Sequence, residues 1–228
     1  WAEAEGLVVM DDTQSIIRCA NKVYLAEMLA HYKIPTPKTL IVHKGNLDLI
    51  QHELDLPCVL KQPDSAFSAG VVKASTPEEL LSLTNQLLDK SELIIAQQFL
   101  PTEYDWRIGI LENQPIFACR YYMARRHWQI VRRDQSGKKH EGASDTVPLD
   151  QIPPEALRLA VKAARAIGNG LYGVDIKQAG NRFYVIEVND NPNVDAGIED
   201  ALRKNDVYAD IMRAFRRRIE AKHPPPID

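Results

Sequence analysis

Gly173-Val174-Asp175-Ile176 and, after a short turn, Val185-Ile186-Glu187-Val188-Asn189 decide how this chain is read. In a strand, residues two apart point the same way, so Glu187 and Asn189 project together while Ile186 and Val188 are expected on the core face. A turn centred on Asn181 sets Asp175 opposite Glu187. Two carboxylates at one cross-strand pair repel, and a hard cation between them relieves the repulsion. The arrangement predicts a Mg²⁺ site on Asp175, Glu187 and Asn189. An edge hairpin with a solvated polar face alternates in the same way, so the hairpin alone leaves both readings open. Asp190-Asn191-Pro192-Asn193 then turns the chain at once, which puts the three oxygen ligands at a strand end, where sites are commonly built on rigid scaffold.

Helix and strand patterns alternate upstream of this hairpin. Leu25, Met28, Leu29 and Tyr32 have helical spacing, and Pro35 and Pro37 stop that helix before the strand-like Thr39-Leu40-Ile41-Val42. A second helix opens at Asn46 and leads to the strand Cys58-Val59-Leu60-Lys61. Gly70-Val71-Val72-Lys73 is followed by Thr76-Pro77-Glu78-Glu79, a capping box with proline at the first helical position, and Leu80, Leu83, Thr84 and Leu87 line one face of the helix it starts. An apolar strand from Glu92 ends in Gln97-Gln98-Phe99-Leu100-Pro101, which reads as a hinge between two lobes. Beyond it come two strands, Asp105 to Leu111 and Gln114 to Tyr122, joined at Glu112-Asn113. A basic, irregular stretch runs from Arg120 to His140. Leu157, Ala160, Val161, Ala164 and Ile167 mark a helix entering the acidic hairpin. A closing helix has Tyr208, Ile211, Met212 and Phe215 as its apolar face, with Arg216, Arg217 and Arg218 suiting its C-terminal dipole. Pro224 to Pro226 ends the fold. The fold class is therefore α+β, in two lobes with a ligand cleft between them.

With 228 residues, 45% hydrophobic and 26% charged, the chain is an ordinary globular composition. A net charge of −3 gives no global drive toward nucleic acid, and no apolar run is long enough for a membrane span. Cys19, Cys58 and Cys119 are odd in number and widely spaced, which suits reduced thiols in a cytoplasmic protein. Gly6-Leu7-Val8-Val9-Met10-Asp11-Asp12 reads as a strand and turn entered from an upstream segment.

Gly168-Asn169-Gly170-Leu171-Tyr172-Gly173 has the letters of a dinucleotide-binding loop in the wrong context. That loop works between a strand and a helix, whereas here a helix precedes the glycines and a strand follows, so the run reads as a helix cap and turn. Lys61 ends an apolar strand and is followed by a loop of small residues, a place from which an ammonium can lean over a cleft toward phosphate while backbone amides approach the anion. Taken singly it also fits a surface lysine. The basic stretch fits a solvated face, a nucleic-acid patch or an anion-binding loop. A phosphate clamp opposite paired carboxylates uses both features together.

Read in order, Asn21-Lys22, Ile34-Pro35-Thr36-Pro37, the Lys61 strand, the hinge, Asp105-Trp106-Arg107, Gly173-Val174-Asp175 and Glu187-Val188-Asn189 resemble the ATP-grasp superfamily, and within it the RimK-like amino-acid ligases. The resemblance spans residues 21 to about 219. It implies an ATP-grasp fold with a small lobe over residues 21–98, a large lobe over 99–228, and residues 1–20 as the tail of an upstream domain of the same polypeptide. It implies that Lys22 and Lys61 contact the phosphates of ATP, that Gln97, Gln98, Phe99 and Leu100 border the adenine, and that Asp105 lies near the ribose. Asp175, Glu187 and Asn189 would hold one or two Mg²⁺ ions, with Mn²⁺ as a substitute. Arg120 and Arg107 would steady an acylphosphate formed from a carboxylate and ATP, which an amine converts to an amide.

Two positions depart from the family pattern. Ser65-Ala66-Phe67-Ser68-Ala69-Gly70 keeps only the last glycine of a usually glycine-rich loop, and Lys138 stands in the segment where an Asn ahead of a glycine pair is usual, offering a full charge for that phosphate contact. The expected activity is ATP- and Mg²⁺-dependent ligation of an amino acid such as glutamate to a peptide, protein or small metabolite. A nucleotide-binding regulatory module without ligase activity, or a kinase of the same fold, are the alternatives. ADP release with acceptor present excludes the first, and an amide rather than a phosphate ester excludes the second.

Overall fold

The computed structural model describes residues 1–64, 70–133 and 136–222. Two antiparallel sheets organise them. The smaller has the order β1-β4-β2-β3, built from β1 (Thr39–Val42), β2 (Cys58–Lys61), β3 (Val71–Ala74) and β4 (Ile94–Gln98). It is covered by α3 (Asp48–Glu53) and α4 (Pro77–Leu88), and Val42, Ile50, Leu60, Leu80, Leu87 and Ile94 form its core. The capping box forms with an offset: Thr76 Oγ1 accepts from Glu79 N at 3.2 Å as expected, but Glu79 Oε2 accepts from Ser75 N at 2.7 Å, the residue before the cap, rather than from Thr76 N.

The larger sheet has the order β11-β10-β5-β6-β9. It comprises β5 (Tyr104–Leu111), β6 (Gln114–Tyr122), β9 (Ser144–Thr146), β10 (Leu171–Ala179) and β11 (Arg182–Asn189). Glu112 and Asn113 both have positive φ, 48° and 63°, as a two-residue turn between right-twisted strands requires. One face of this sheet packs on α5 (Pro154–Ile167), through Ile108, Ala160, Ala164 and Val174. Part of the other face carries α6 (Asn205–Lys222). The helix α2 (Lys22–His31) sends Leu25 and Leu29 into the α5 core and also touches β4 of the smaller sheet.

Several local expectations are revised. Leu7 to Met10 pairs with no strand among the described residues; the segment is anchored instead by a side chain, Asp11 Oδ1 accepting from Leu171 N at 2.8 Å. A helix not read from the sequence follows, α1 (Thr13–Ala20), with Asp12 as its cap. Its buried residues are Ser15 and Cys19 while Ile16 and Ile17 are exposed, so its apolar periodicity points away from the core. The stripe of α6 is offset from the expected one: Val207 and Ala214 are buried, with Ile211 between them, and Met212 is 64% exposed. Arg217 and Arg218 pair with Glu112 rather than serving the helix dipole, and Arg216 pairs with Glu220. The basic stretch contains a hairpin, β7 (Val131–Arg133) with β8 (Lys139–Glu141). Gly168 caps α5 and the turn to β10 follows, as the out-of-context glycines require. The loop 65–69 and Pro224 to Pro226 lie outside the described residues. No helix among those described is long and apolar enough to cross a membrane.

Candidate functional site

β10 and β11 turn at Gly180-Asn181 and run in the expected opposition, Asp175 against Glu187 and Gly173 against Asn189. The route differs from a plain hairpin. The register shifts between Asp175 and Ile176, so that Ile176 faces Val185 and Ile186 is the extra residue of a β-bulge. Val185 is buried in its place, and Ile186 is half-buried and lines the cleft beside Glu187, contrary to the core position expected from alternation.

One cavity between the two sheets gathers Lys22, Lys61, Gln97, Gln98, Phe99, Leu100, Asp105, Asp175 and Glu187, all of them read from the sequence. Trp128, Lys177 and Ile186 join them. The polar residues are held by specific bonds. Lys61, the last residue of β2, donates from Nζ to Gln97 Oε1 at 2.8 Å, and Gln97 Nε2 donates to Thr39 Oγ1 at 2.8 Å. Burial pulls the Lys61 ammonium down to about 8 from 10.5, partly offset by Glu187 and reinforced by Lys22 and Lys177. Lys22 opens α2, where the Asn21 side chain caps the helix, and its Nζ lies 2.8 Å from Glu187 Oε1. Phe99 and Trp128 meet edge to face with centroids 5.9 Å apart, and Lys73 Nζ stands 4.8 Å over the Phe99 ring.

The floor of the site continues through Asp175. Arg107 sits directly opposite it on β5 and grips it with two bonds of 2.7 Å, so Asp175 raises the guanidinium above its ordinary value despite the opposing effect of burial. Arg107 also stacks on Tyr121 at 5.2 Å, and the Tyr121 hydroxyl donates to buried Glu199. Asn189 Nδ2 donates to Gly173 O at 3.2 Å and Asp175 Oδ2 at 3.3 Å. No group of three His, Cys, Asp or Glu side chains is preassembled for a metal among the described residues. The donors present are two carboxylates and an amide, all hard oxygens, now neutralised by Lys22 and Arg107; such a set could hold a hard divalent cation.

Two expected residues stand elsewhere. β5 and β6 also carry a bulge, with the register shifting between Gly109 and Ile110. Arg120 therefore faces Trp106, on the opposite side of the sheet from Arg107 and its partner Cys119. There Arg120 pairs with Asp145 and lies among the rings of Tyr104, Trp106 and Tyr122. It does not line the cavity. Lys138, just before β8, is also not among the residues lining it. Of the residues the sequence reading missed, Lys177 was within its reach, since strand alternation sets it on the same face as Asp175.

The chain is similar to several known proteins. It is 27% identical over 227 residues to a protein of Saccharophagus degradans named "Probable alpha-L-glutamate ligase", covering 98% of this chain and 70% of that one. A protein of the same name from Vibrio vulnificus is 28% identical over 207 residues, 89% of this chain and 65% of its own. The chain thus spans about two thirds of the length of these curated relatives. Among solved structures, D-alanine–D-alanine ligase from Bacillus anthracis superposes with a TM-score of 0.75 at 16% identity, over 97% of this chain and 75% of that one. The ATP-grasp ligase PsnB bound to a minimal precursor gives 0.65 at 19% identity, over 95% and 65%. These likenesses show the two-lobed ATP-grasp fold. The sequence also matches the family described as "RimK-like ATP-grasp domain" over residues 19–214. A match that begins in α1 and runs into α6 takes in both lobes and the cleft between them, and the chain therefore belongs to the RimK-like ATP-grasp domain family.

Proposed function

We propose that this chain is the ATP-binding and phosphoryl-transferring part of a carboxylate–amine ligase, adding an amino acid such as glutamate to an amine or carboxylate acceptor in the cytoplasm. The observation that carries this reading is one cleft with an apolar side, three lysines and a cross-strand carboxylate pair, in a chain of the RimK-like family whose curated relatives are named as glutamate ligases. In this reading the γ-phosphoryl group of ATP passes to a substrate carboxylate and ADP departs. The amine nitrogen then attacks the acyl carbon, phosphate leaves, and the amine loses a proton.

The residues divide the work by charge. Lys61 and Lys22 attract the phosphates, and their ammonium groups offset the negative charge of the transferring group. Phe99, Leu100 and Trp128 offer the apolar surface for the base. Asp175, Glu187 and Asn189 are the residues to hold Mg²⁺, or Mn²⁺, and Arg107 fixes Asp175 in place. When bound, the cation supplies further neutralisation of the phosphates. Trp128 and Ile186 add apolar lining to the cleft, which disfavours water that would hydrolyse the acylphosphate.

Incubation with ATP, Mg²⁺, L-glutamate and a glutamate-terminated peptide tests the activity: ADP release matched by a new amide is expected. ATP turnover with a stable phosphate ester points to a kinase, and binding without turnover in the presence of acceptors to a regulatory module.

Lys61 gives this reading a pH signature. Its ammonium, facing Glu187, Lys22, Lys177 and Asp105, is half lost at about pH 8 in the free protein. Affinity for the nonhydrolysable analogue AMPPNP should therefore fall as pH rises above 8. Lys61→Met should bind about tenfold or more weakly at pH 7, with a flatter profile, as expected on losing a charge-assisted contact. Stability runs the other way: the unfolded lysine holds its proton up to about 10.5 and the folded one only to about 8, so folding grows more favourable across that window. Calorimetric titration from pH 7 to 9.5 checks both proteins, and identical profiles would remove Lys61 from the phosphate site.

A further inference from the structure

Lys177 is a cleft cation that no motif anticipated, and with Thr102 it donates to one oxygen of Asp105. Its Nζ donates to Asp105 Oδ1 at 2.6 Å and to Thr102 Oγ1 at 2.7 Å, and Thr102 Oγ1 donates to the same Asp105 oxygen at 2.9 Å. The ion pair is nearly closed to solvent, with the two side chains 14% and 13% exposed. Every hydrogen bond to the Asp105 carboxylate among the described residues falls on Oδ1, which leaves Oδ2 for whatever occupies the cavity that both residues line. Asp105 lies at the start of the large sheet four residues after Pro101, lines the same cavity as Phe99, Leu100 and Lys22, and acts on the Lys61 ammonium, so in the nucleotide reading its free oxygen is available to the group that links base and phosphates.

An ionised carboxylate oxygen only accepts hydrogen bonds, and the linking group that suits it is one rich in hydroxyl donors. We propose that Lys177 is a positioning residue for the nucleotide's sugar: by fixing Asp105 through one oxygen it presents the other to a vicinal diol, and so selects ribonucleotides over deoxyribonucleotides. This rests on the nucleotide reading of the cleft. A deoxy sugar has one donor fewer, and a site built to pair a hydroxyl discriminates strongly against the analogue that lacks it. A lysine acting only as a phosphate charge would treat both sugars alike.

The test is calorimetric titration of the whole chain with AMPPNP and its 2′-deoxy analogue, in the wild type, Lys177→Met and Thr102→Val. The wild type is expected to favour the ribose form by about tenfold, the worth of one hydrogen bond to a charged acceptor. Lys177→Met should shrink that ratio toward one by weakening the ribose form, and Thr102→Val should shrink it in part. Thr102→Val carries the test if Lys177→Met does not fold. A ratio unchanged in the folded variants, equal weakening of both analogues, or no preference in the wild type overturns the proposal. A folded wild type that binds neither analogue overturns the nucleotide site itself, and the sugar assignment with it.

Discussion

Glu187→Gln is expected to abolish ATP-dependent turnover while the protein stays folded. Glu187 faces Asp175 across β10 and β11, and it is the carboxylate that Lys22 already reaches from the start of α2. Replacing it with an amide keeps the shape and removes one of the two negative charges that could hold a divalent cation. A loss of about a hundredfold or more in ADP release fits the cost of removing a charged group from preorganised phosphoryl-transfer machinery. Its stability cost should be only about 1 kcal/mol, because Glu187 is 32% exposed and its bond to Lys22 is partly screened by solvent. Urea denaturation beside a turnover assay separates the two effects. Turnover within a few-fold of the wild type would remove Glu187 from the site.

Arg107→Met should show the opposite balance, with a large loss of stability. Arg107 and Asp175 are 20% and 14% exposed and joined by two bonds, so deleting the guanidinium leaves a mostly buried carboxylate without its partner. Breaking such a pair from one side costs about 3 kcal/mol or more. The Tyr121 ring also loses the cation stacked on it. Arg107→Lys keeps the charge but cannot make both bonds, and its loss should be intermediate. A divalent cation at Asp175 would replace part of the missing charge, so Mg²⁺ should raise the urea midpoint of Arg107→Met more than that of the wild type. A variant as stable as the wild type, or equal Mg²⁺ effects on both, would contradict this role for the pair.

The acidic hairpin was readable because its signal is local: two apolar strands, a two-residue turn, and oxygen-bearing side chains two apart. The lysine strand, the capped α4 and the segment that links the two sheets were readable for the same reason. Bulges were not. An extra residue in one strand leaves the polar and apolar letters unchanged yet moves everything beyond it to the other face. Counted outward from the Glu112-Asn113 turn without a bulge, Arg120 falls opposite Asp105, on the cleft side; with the shift at Gly109 it falls opposite Trp106, away from the cleft. The bulge at Ile186 works in the other direction, bringing Glu187 level with Asp175 although the turn lies at Gly180-Asn181. The helix α1 was hidden because small residues, Ser15 and Cys19, form its buried face. Trp128 could not be assigned because a tryptophan in a basic, irregular stretch fits a core and a ligand site equally well. It took the pairing of Phe99 with Trp128 in three dimensions to separate them.

The most direct measurement is calorimetric titration of this chain with AMPPNP, with and without Mg²⁺. Saturable binding that tightens with Mg²⁺ is the predicted result. A folded chain that takes up no nucleotide under either condition would contradict the assignment of the cleft.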